Sequence, residues 1–478
     1  MAAGEAQCPG HPPRQQLWDE VDVEKIPLLS GLSDAQVSVA RNHPEQRRNI
    51  DVITNLLVRM DRAGHVPVDL YNFQVALFHC SYRAQRAAAD IARALKRLPD
   101  GKGPDWQGQH DAEMLQYLAP LWTPICAIDS RDPDDWHLEA VVAARVVHQL
   151  RDVGDGLAWH VHHFDRRLIA ALSDHDPAGP IVPKRGLENE IGRIVEVFRD
   201  SGHFALMHDL TTVLRHHDLT EVHATGYREL HEVKATLTRS SQSKAAKQRR
   251  AAEAALAAAA GQAPLESSGA HISRSQVQLR THVRDLSGIL GVAQRDGHVV
   301  TRLGDRIVGG VYFPTLAASG ADLREVWDIY QDKRAAASHR WIPGASSVLQ
   351  NRMTFTGARN PFYAPFSVFP LPVAQRTALI CDLVFVETMM DANALAAGFE
   401  KIGMPARVLL NYSSQADADV LTVTSGSTRM TVHSAAVSQL LSELVRTDCF
   451  VRAFASDMSS RSAGQYVLTF SNERAAWR

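Results

Sequence analysis

The chain has 478 residues, 45% apolar and 22% charged, and 51 Lys and Arg against 53 Asp and Glu give a net charge of -2. That composition is ordinary for a globular protein and excludes collagen-like, coiled-coil and wholly disordered chains. It also excludes a polycation that coats nucleic acid by overall charge, so any nucleic-acid site has to be a local patch. At roughly 150 residues per domain, the length predicts two to four domains. Cys8, Cys80, Cys126, Cys381 and Cys449 are far apart and form no Cys-x-x-Cys. This argues against a disulfide framework or a cysteine zinc site and for a reducing compartment. Residues 1–16 lack the apolar core of a signal peptide. No run of about 18 apolar residues marks a membrane span. The expectation is a cytoplasmic protein with no membrane partner.

Residues 1–48 read as a partly ordered lead-in with one short element near Ile26–Leu32. From 49 to 153 the chain reads as α-helical. Ile50, Ile53, Leu56, Leu57 and Met60 share one helix face. A second helix spans Tyr71–Leu98 and ends before the Pro99-Asp100-Gly101 turn signal. After a loop-rich stretch at 101–135, a third runs from Trp136 to Leu150 and stops at Gly154-Asp155-Gly156. Residues 154–260 change character. Gly186–Phe198 is an amphipathic helix ended by Gly202. Strand-like runs follow at Phe204–Met207, Thr212–Arg215, Leu219–His223 and Tyr227–Thr236, the last two forming a hairpin around Ala224-Thr225-Gly226. A basic, Ala-rich helix covers about Ser243–Ala260, and 261–270 reads as a linker. Residues 271–478 read as an α+β region of no assigned role. It holds a helix at Ser275–Ala293, strands at Val299–Leu303 and Ile307–Tyr312, and a strand at Ala378–Val386. A helix capped by Asp391 ends at Gly403. Strands follow at Arg407–Leu410, Val420–Val423 and Arg429–Val432, then a helix to Val445 and a strand at Phe450–Phe454.

The chemistry concentrates in Gly186-Leu-Glu-Asn-Glu190, Asp218-Leu-Thr220 and Glu232-Val-Lys234. Residues i and i+2 of a strand point to one face, so Glu232 and Lys234 project together. With Ala224-Thr225-Gly226 as a three-residue loop, His223 pairs with Tyr227, and counting back sets Asp218 opposite Glu232. Opposed residues have Cβ atoms about 5 Å apart, where two carboxylates repel unless a divalent cation offsets the charge. Such a cation polarises a phosphate and lowers the pKa of an attacking water.

The order Glu on a helix, a Gly-ended turn, Asp, then Glu-x-Lys resembles the PD-(D/E)XK nuclease superfamily, most nearly its archaeal Holliday-junction resolvases and restriction-endonuclease-like members. The resemblance covers about residues 186–250. It implies an α/β restriction-endonuclease-like core, a central mixed sheet flanked by helices, at 154–260. It also implies Mg²⁺- or Mn²⁺-dependent hydrolysis of nucleic-acid phosphodiesters, with DNA favoured over RNA, in a role such as genome defence or repair. Carried over, Asp218 and Glu232 are metal ligands, and Lys234 positions the water or stabilises transition-state charge. Glu190 completes the metal site, with Glu188 as the fallback, and Lys247 or Gln248 fills the position after Glu-x-Lys. Two departures stand out. His217 replaces the usual Pro before the Asp, and His231 replaces the usual apolar residue before the Glu.

Lys234, Arg239, Lys244, Lys247, Arg249 and Arg250 form a basic stripe with no acidic residue among them, suited to phosphate contacts or to an ordinary solvated helix face. Asp209 is an alternative ligand or a turn residue, and Arg215 a phosphate contact or its partner. His208, His216 and His217 titrate in the range of a general base, or are buried and hydrogen-bonded. His160-Val-His162 would put two imidazoles on one strand face, suiting Zn²⁺. Three readings result: a metal-dependent nuclease, an inactive nuclease fold that binds nucleic acid or acts as a scaffold, and a zinc hydrolase at His160 and His162. The terminal regions would serve a protein partner or a homodimer.

Overall fold

Three long helices open the described chain: α1 (Pro44–Ala63), α2 (Pro67–Arg97) and α3 (Pro133–Val161). The computed structural model describes residues 43–97, 133–174, 181, 186–223, 228–233, 250–266, 269–338, 348–353, 363–409, 419–458, 466–471 and 473–477. The lead-in with its element near Ile26–Leu32 and most of the loop-rich stretch before Trp136 lie outside them. Among the described residues no helix is long and apolar enough to cross a membrane.

Helix α1 starts at Pro44, inside the stretch read as a lead-in and ahead of the expected start at 49. His43 accepts the Glu45 amide at 3.2 Å, and a proline occupies the first turn, where its missing N–H costs nothing. The anticipated face is buried: Ile53, Leu56, Leu57 and Met60 are all at most 4% exposed. Helix α3 departs from expectation. It does not stop at Gly154-Asp155-Gly156 but runs through both glycines. Each glycine costs a helix about 1 kcal/mol, and each is here because another chain segment touches the helix. A Cβ on Gly154 would lie 1.9 Å from the Leu210 carbonyl oxygen, and one on Gly156 2.4 Å from Ser367 Oγ.

A short helix, α4 (Arg166–Leu172), is capped by Asp165. Helix α5 (Leu187–Ser201) is bounded by Gly186 and Gly202, both with positive φ. It precedes β1 (Phe204–Met207), β2 (Leu219–Val222) and β3 (Arg228–His231), an all-antiparallel sheet in the order β1-β2-β3. Residues 250–259 are helical. In the stretch read as a linker, Leu265 is buried and its backbone bonds Gly269 and Ala270. The central mixed sheet of the expected core is not seen among the described residues, because the next strand, β4 (His271–Gln278), pairs in parallel with the last, β12 (Tyr466–Ser471).

The remainder is mixed α and β, as expected. Helix α6 (Val283–Asp296) precedes the hairpin of β5 (His298–Leu303) and β6 (Arg306–Tyr312), and β8 (Val384–Asp391) and β7 (Val348–Arg352) extend that sheet in the order β5-β6-β8-β7. Strands β9 (Ala406–Val408), β10 (Asp419–Ser425) and β11 (Thr428–His433) form a third antiparallel sheet. Asp391 caps the following helix, Ala392–Glu400, by accepting the Asn393 amide at 2.9 Å.

Four local expectations are corrected. Residues 275–278 belong to β4, not to a helix. Local composition does not decide this stretch; the parallel ladder with β12 does. The strand expected at Ala378–Val386 splits into a helix, Val373–Ile380, and β8. The strand expected at Phe450–Phe454 lies inside the helix Thr447–Met458. Both runs are short and mostly apolar, and a short apolar run carries no period that separates strand from helix. Thr212–Arg215 is a bent loop, since the Thr212 and Val213 amides donate to Asp155 Oδ1 at 2.6 and 3.2 Å instead of joining a ladder.

A continuous hydrophobic cluster runs from Ile53 through the sheets to Trp477. One buried cation ties its ends. Arg166, 1% exposed, donates two bonds to Glu443 (2.8 and 2.9 Å) and its Nε to Glu473 (2.9 and 3.1 Å). Its guanidinium also lies 5.0 Å over the Trp159 ring.

Candidate functional site

The three-stranded sheet and α5 carry every described residue of the proposed carboxylate site. The β2–β3 register pairs Leu219 with His231, Thr220 with Leu230, Glu221 with Glu229 and Val222 with Arg228. Extended one step, it sets Asp218 against Glu232, as the spacing predicts. The backbone fixes this end. The Asp218 amide donates to the His231 carbonyl at 3.1 Å, and the Asp218 carbonyl accepts the His208 amide at 2.9 Å. The carboxylate Oδ2 accepts the Val233 amide at 2.8 Å. Asp218 thus bonds the residues on both sides of Glu232.

Helix α5 turns a stripe of Leu187, Glu190, Ile194 and Val197 inward, and it packs on β1. Glu190, 2% exposed, stands on that apolar stripe, while Glu188 is exposed. Burying a carboxylate costs several kcal/mol unless its charge is matched. Of the two acids, Glu190 is the one that the helix turns inward. Lys234, Arg239, Lys244, Lys247, Gln248 and Arg249 lie outside the described residues, and Arg250 is exposed at the start of the described helical stretch.

Of the two alternatives for the flanking histidines, His208 shows the buried, hydrogen-bonded one. His208 is buried, its Nδ1 is 2.6 Å from the His216 carbonyl and its Nε2 2.6 Å from Thr220 Oγ1. Burial pushes its pKa down to about 3. It is a neutral element of the loop between β1 and β2, not a general base. Asp209, 8% exposed, sits in the short turn 208–210 facing the Arg151 charge, a turn residue as one alternative held. Arg215 donates to the Thr212 carbonyl at 2.9 Å.

The zinc site expected at His160 and His162 is corrected. His160 belongs to α3 and His162 to the turn after it, and positions two apart on a helix do not share a face. His160 bonds the Gly64 carbonyl and stacks on His65, centroids 4.3 Å apart. His162 is fully buried, and burial followed by the Arg228 charge pushes its pKa well down.

Two features were missed. Arg166, Arg167, Arg228 and Arg274 line a cleft of about 300 Å³ with His162 and His163. Arg228 and Glu232, four positions apart on β3 and its extension, share a face by strand alternation. The opposite face carries Glu221 among His203, His223 and His231. The signal for it was a repeated Glu-x-His, at Glu221-Val-His223 and Glu229-Leu-His231.

No protein family, curated protein or solved structure matches the chain.

Proposed function

We propose that the protein is a metal-dependent nuclease that hydrolyses nucleic-acid phosphodiesters at Asp218, Glu232 and Lys234, with Glu190 as the third acid. The observation that supports this reading is the bracketing of Glu232 by Asp218, which bonds His231 and Val233 on either side of it; opposed residues of a hairpin share a face, which would bring the two carboxylates together. Like charges so placed repel, and hard oxygen donors suit Mg²⁺ or Mn²⁺. A cation held there supplies charge to polarise the phosphate and to lower the pKa of a water. Lys234, two residues beyond Glu232, offers a cation for the charge that develops on the phosphate. Arg228 and Arg274, on the cleft beside β3, suit the phosphates of a bound strand, and DNA is the favoured polymer. The order helix, three-stranded meander, helix supports the same reading, while the pairing of β4 with β12 departs from the mixed sheet it would lead one to expect. A role in genome defence or repair, with protein contacts or self-association through the terminal regions, accords with the length of chain outside the site.

The test is cleavage of labelled single- and double-stranded DNA and RNA with Mg²⁺, Mn²⁺ or EDTA. Metal-dependent cleavage abolished by Glu232→Ala is the expected result. Binding without turnover on every substrate would favour an inactive nuclease fold instead.

A further inference from the structure

The face of the three-stranded sheet opposite Asp218 and Glu232 carries a second set of metal-ligating side chains. Strand alternation places it there. Glu221 and His223 are two apart on β2 and its extension, Glu229 and His231 two apart on β3, and all are odd-numbered where Asp218 and Glu232 are even. The registers bring them together. Glu221 pairs with Ala205 on one side and Glu229 on the other, and the β1–β2 register extended one step sets His203 opposite His223. The two rings stand with centroids 4.2 Å apart, inclined at 50°.

The donor geometry is compact. Glu221 Oε1 lies 2.8 Å from His203 Nδ1 and 3.7 Å from His223 Nε2. Its other oxygen, Oε2, lies 3.0 Å from His231 Nε2. A tetrahedral zinc with bonds of about 2.0–2.1 Å separates its ligand atoms by about 3.3 Å, a value between the two Oε1 distances. The donor atoms of His203, Glu221 and His223 all lie within 4.8 Å of one another. Side-chain exposures of 24%, 9% and 27% leave the group reachable by an ion yet partly stripped of water. Two imidazoles and one carboxylate are the donors of three-ligand zinc sites that keep a fourth position for water. A His–carboxylate hydrogen bond of the kind His231 makes is what orients ligands in such sites.

We propose that His203, Glu221 and His223 bind a divalent transition-metal ion, zinc by ligand preference, with His231 positioning Glu221 through its second oxygen. The ion takes the place of the His203–Glu221 hydrogen bond. The His203 proton moves to Nε2, leaving Nδ1 as the ligand, and no net charge is lost from the ring. His203 directly precedes β1, and His223 directly follows β2. The ion therefore clips the free ends of two neighbouring strands, while His231 at the end of β3 holds the third. Hard Mg²⁺ prefers the all-oxygen carboxylates on the other face, and a soft-to-borderline ion prefers this one.

The test uses the full chain, stripped with chelator and titrated with Zn²⁺ by calorimetry, and with Co²⁺ by visible absorption. The expected result is one Zn²⁺ per chain, a tetrahedral-type Co²⁺ spectrum, and a saturable rise in melting temperature. His203→Ala with His223→Ala should weaken binding at least about ten-fold, and Glu232→Ala should leave it unchanged. Circular dichroism of the metal-free double variant shows whether it folds. If it does not, the single variant His223→Gln carries the comparison. Absence of stoichiometric Zn²⁺ on the wild-type chain overturns the proposal. So does Zn²⁺ that is lost with Glu232→Ala and kept in the histidine variant.

Discussion

Asp218 holds Glu232 between two of its own bonds, the amide to the His231 carbonyl at 3.1 Å and Oδ2 to the Val233 amide at 2.8 Å. The same side chain is asked to brace the hairpin end and to ligate a cation, and these roles are separable. Asp218→Asn keeps an oxygen for the Val233 amide but removes the charge. It should abolish metal-dependent cleavage while leaving the melting temperature nearly unchanged. Asp218→Ala should lose both activity and about 1 kcal/mol of stability, the worth of an ordinary hydrogen bond. Equal destabilisation by the two would contradict this division.

Gly154 is a position where the helix and the loop after β1 touch backbone to helix. Gly154→Ala places a methyl 1.9 Å from the Leu210 carbonyl oxygen, and a carbonyl cannot rotate away as a side-chain tip would. Overpacking of this kind costs about 1–3 kcal/mol, so denaturant midpoints should fall clearly. Gly192, exposed on α5 with nothing within 4 Å of its notional Cβ, is the control. Gly192→Ala should raise stability by about 1 kcal/mol.

Arg166 satisfies two buried carboxylates at once. Arg166→Ala strands both Glu443 and Glu473, and breaking a buried pair in this way costs about 3–5 kcal/mol. Arg166→Lys should recover little, because an ammonium cannot reproduce a fork bonded to both oxygens of Glu443. Chemical denaturation of the two variants checks this, and a lysine variant as stable as wild type would refute it.

His208 ties stability to pH. Burial holds its folded pKa at about 3, against about 6.5 in an unfolded chain. Between these values the unfolded chain binds the extra proton. The contribution of His208 is therefore fully present above about pH 6.5 and is lost as pH falls towards 3. Melting temperatures should decline as pH drops below 6.5. His208→Asn, which keeps a donor for the His216 carbonyl without titrating, should show a shallower decline.

The parts legible in the sequence share a physical cause. The face of α1 could be read because it contrasts buried Ile53, Leu57 and Met60 with exposed Asp51 and Arg59. The β2–β3 register could be read because the odd number of residues between Val222 and Arg228 fixes the parity of every pair along the hairpin. Phe450–Phe454 could not, since five residues are too few to show the helical period that exposed Arg452 and Ser456 reveal over the whole helix. Nor could the path of α3 through Gly154 and Gly156, because the reason for those glycines lies at Leu210 and Ser367, remote in sequence. The His203–Glu221–His223 group escaped for a similar reason. His203 joins it only through the register of β1 against β2, which no local spacing specifies.

The most direct test of the nuclease reading is single-turnover cleavage by the wild-type chain and Glu232→Gln, each with Mg²⁺ or EDTA. Glutamine keeps the size of the side chain and removes the charge that would hold the cation. Cleavage that requires Mg²⁺ and disappears in Glu232→Gln, with melting temperature unchanged, is the predicted result. Cleavage that persists in the variant, or that EDTA leaves intact, would contradict a catalytic metal at Asp218 and Glu232.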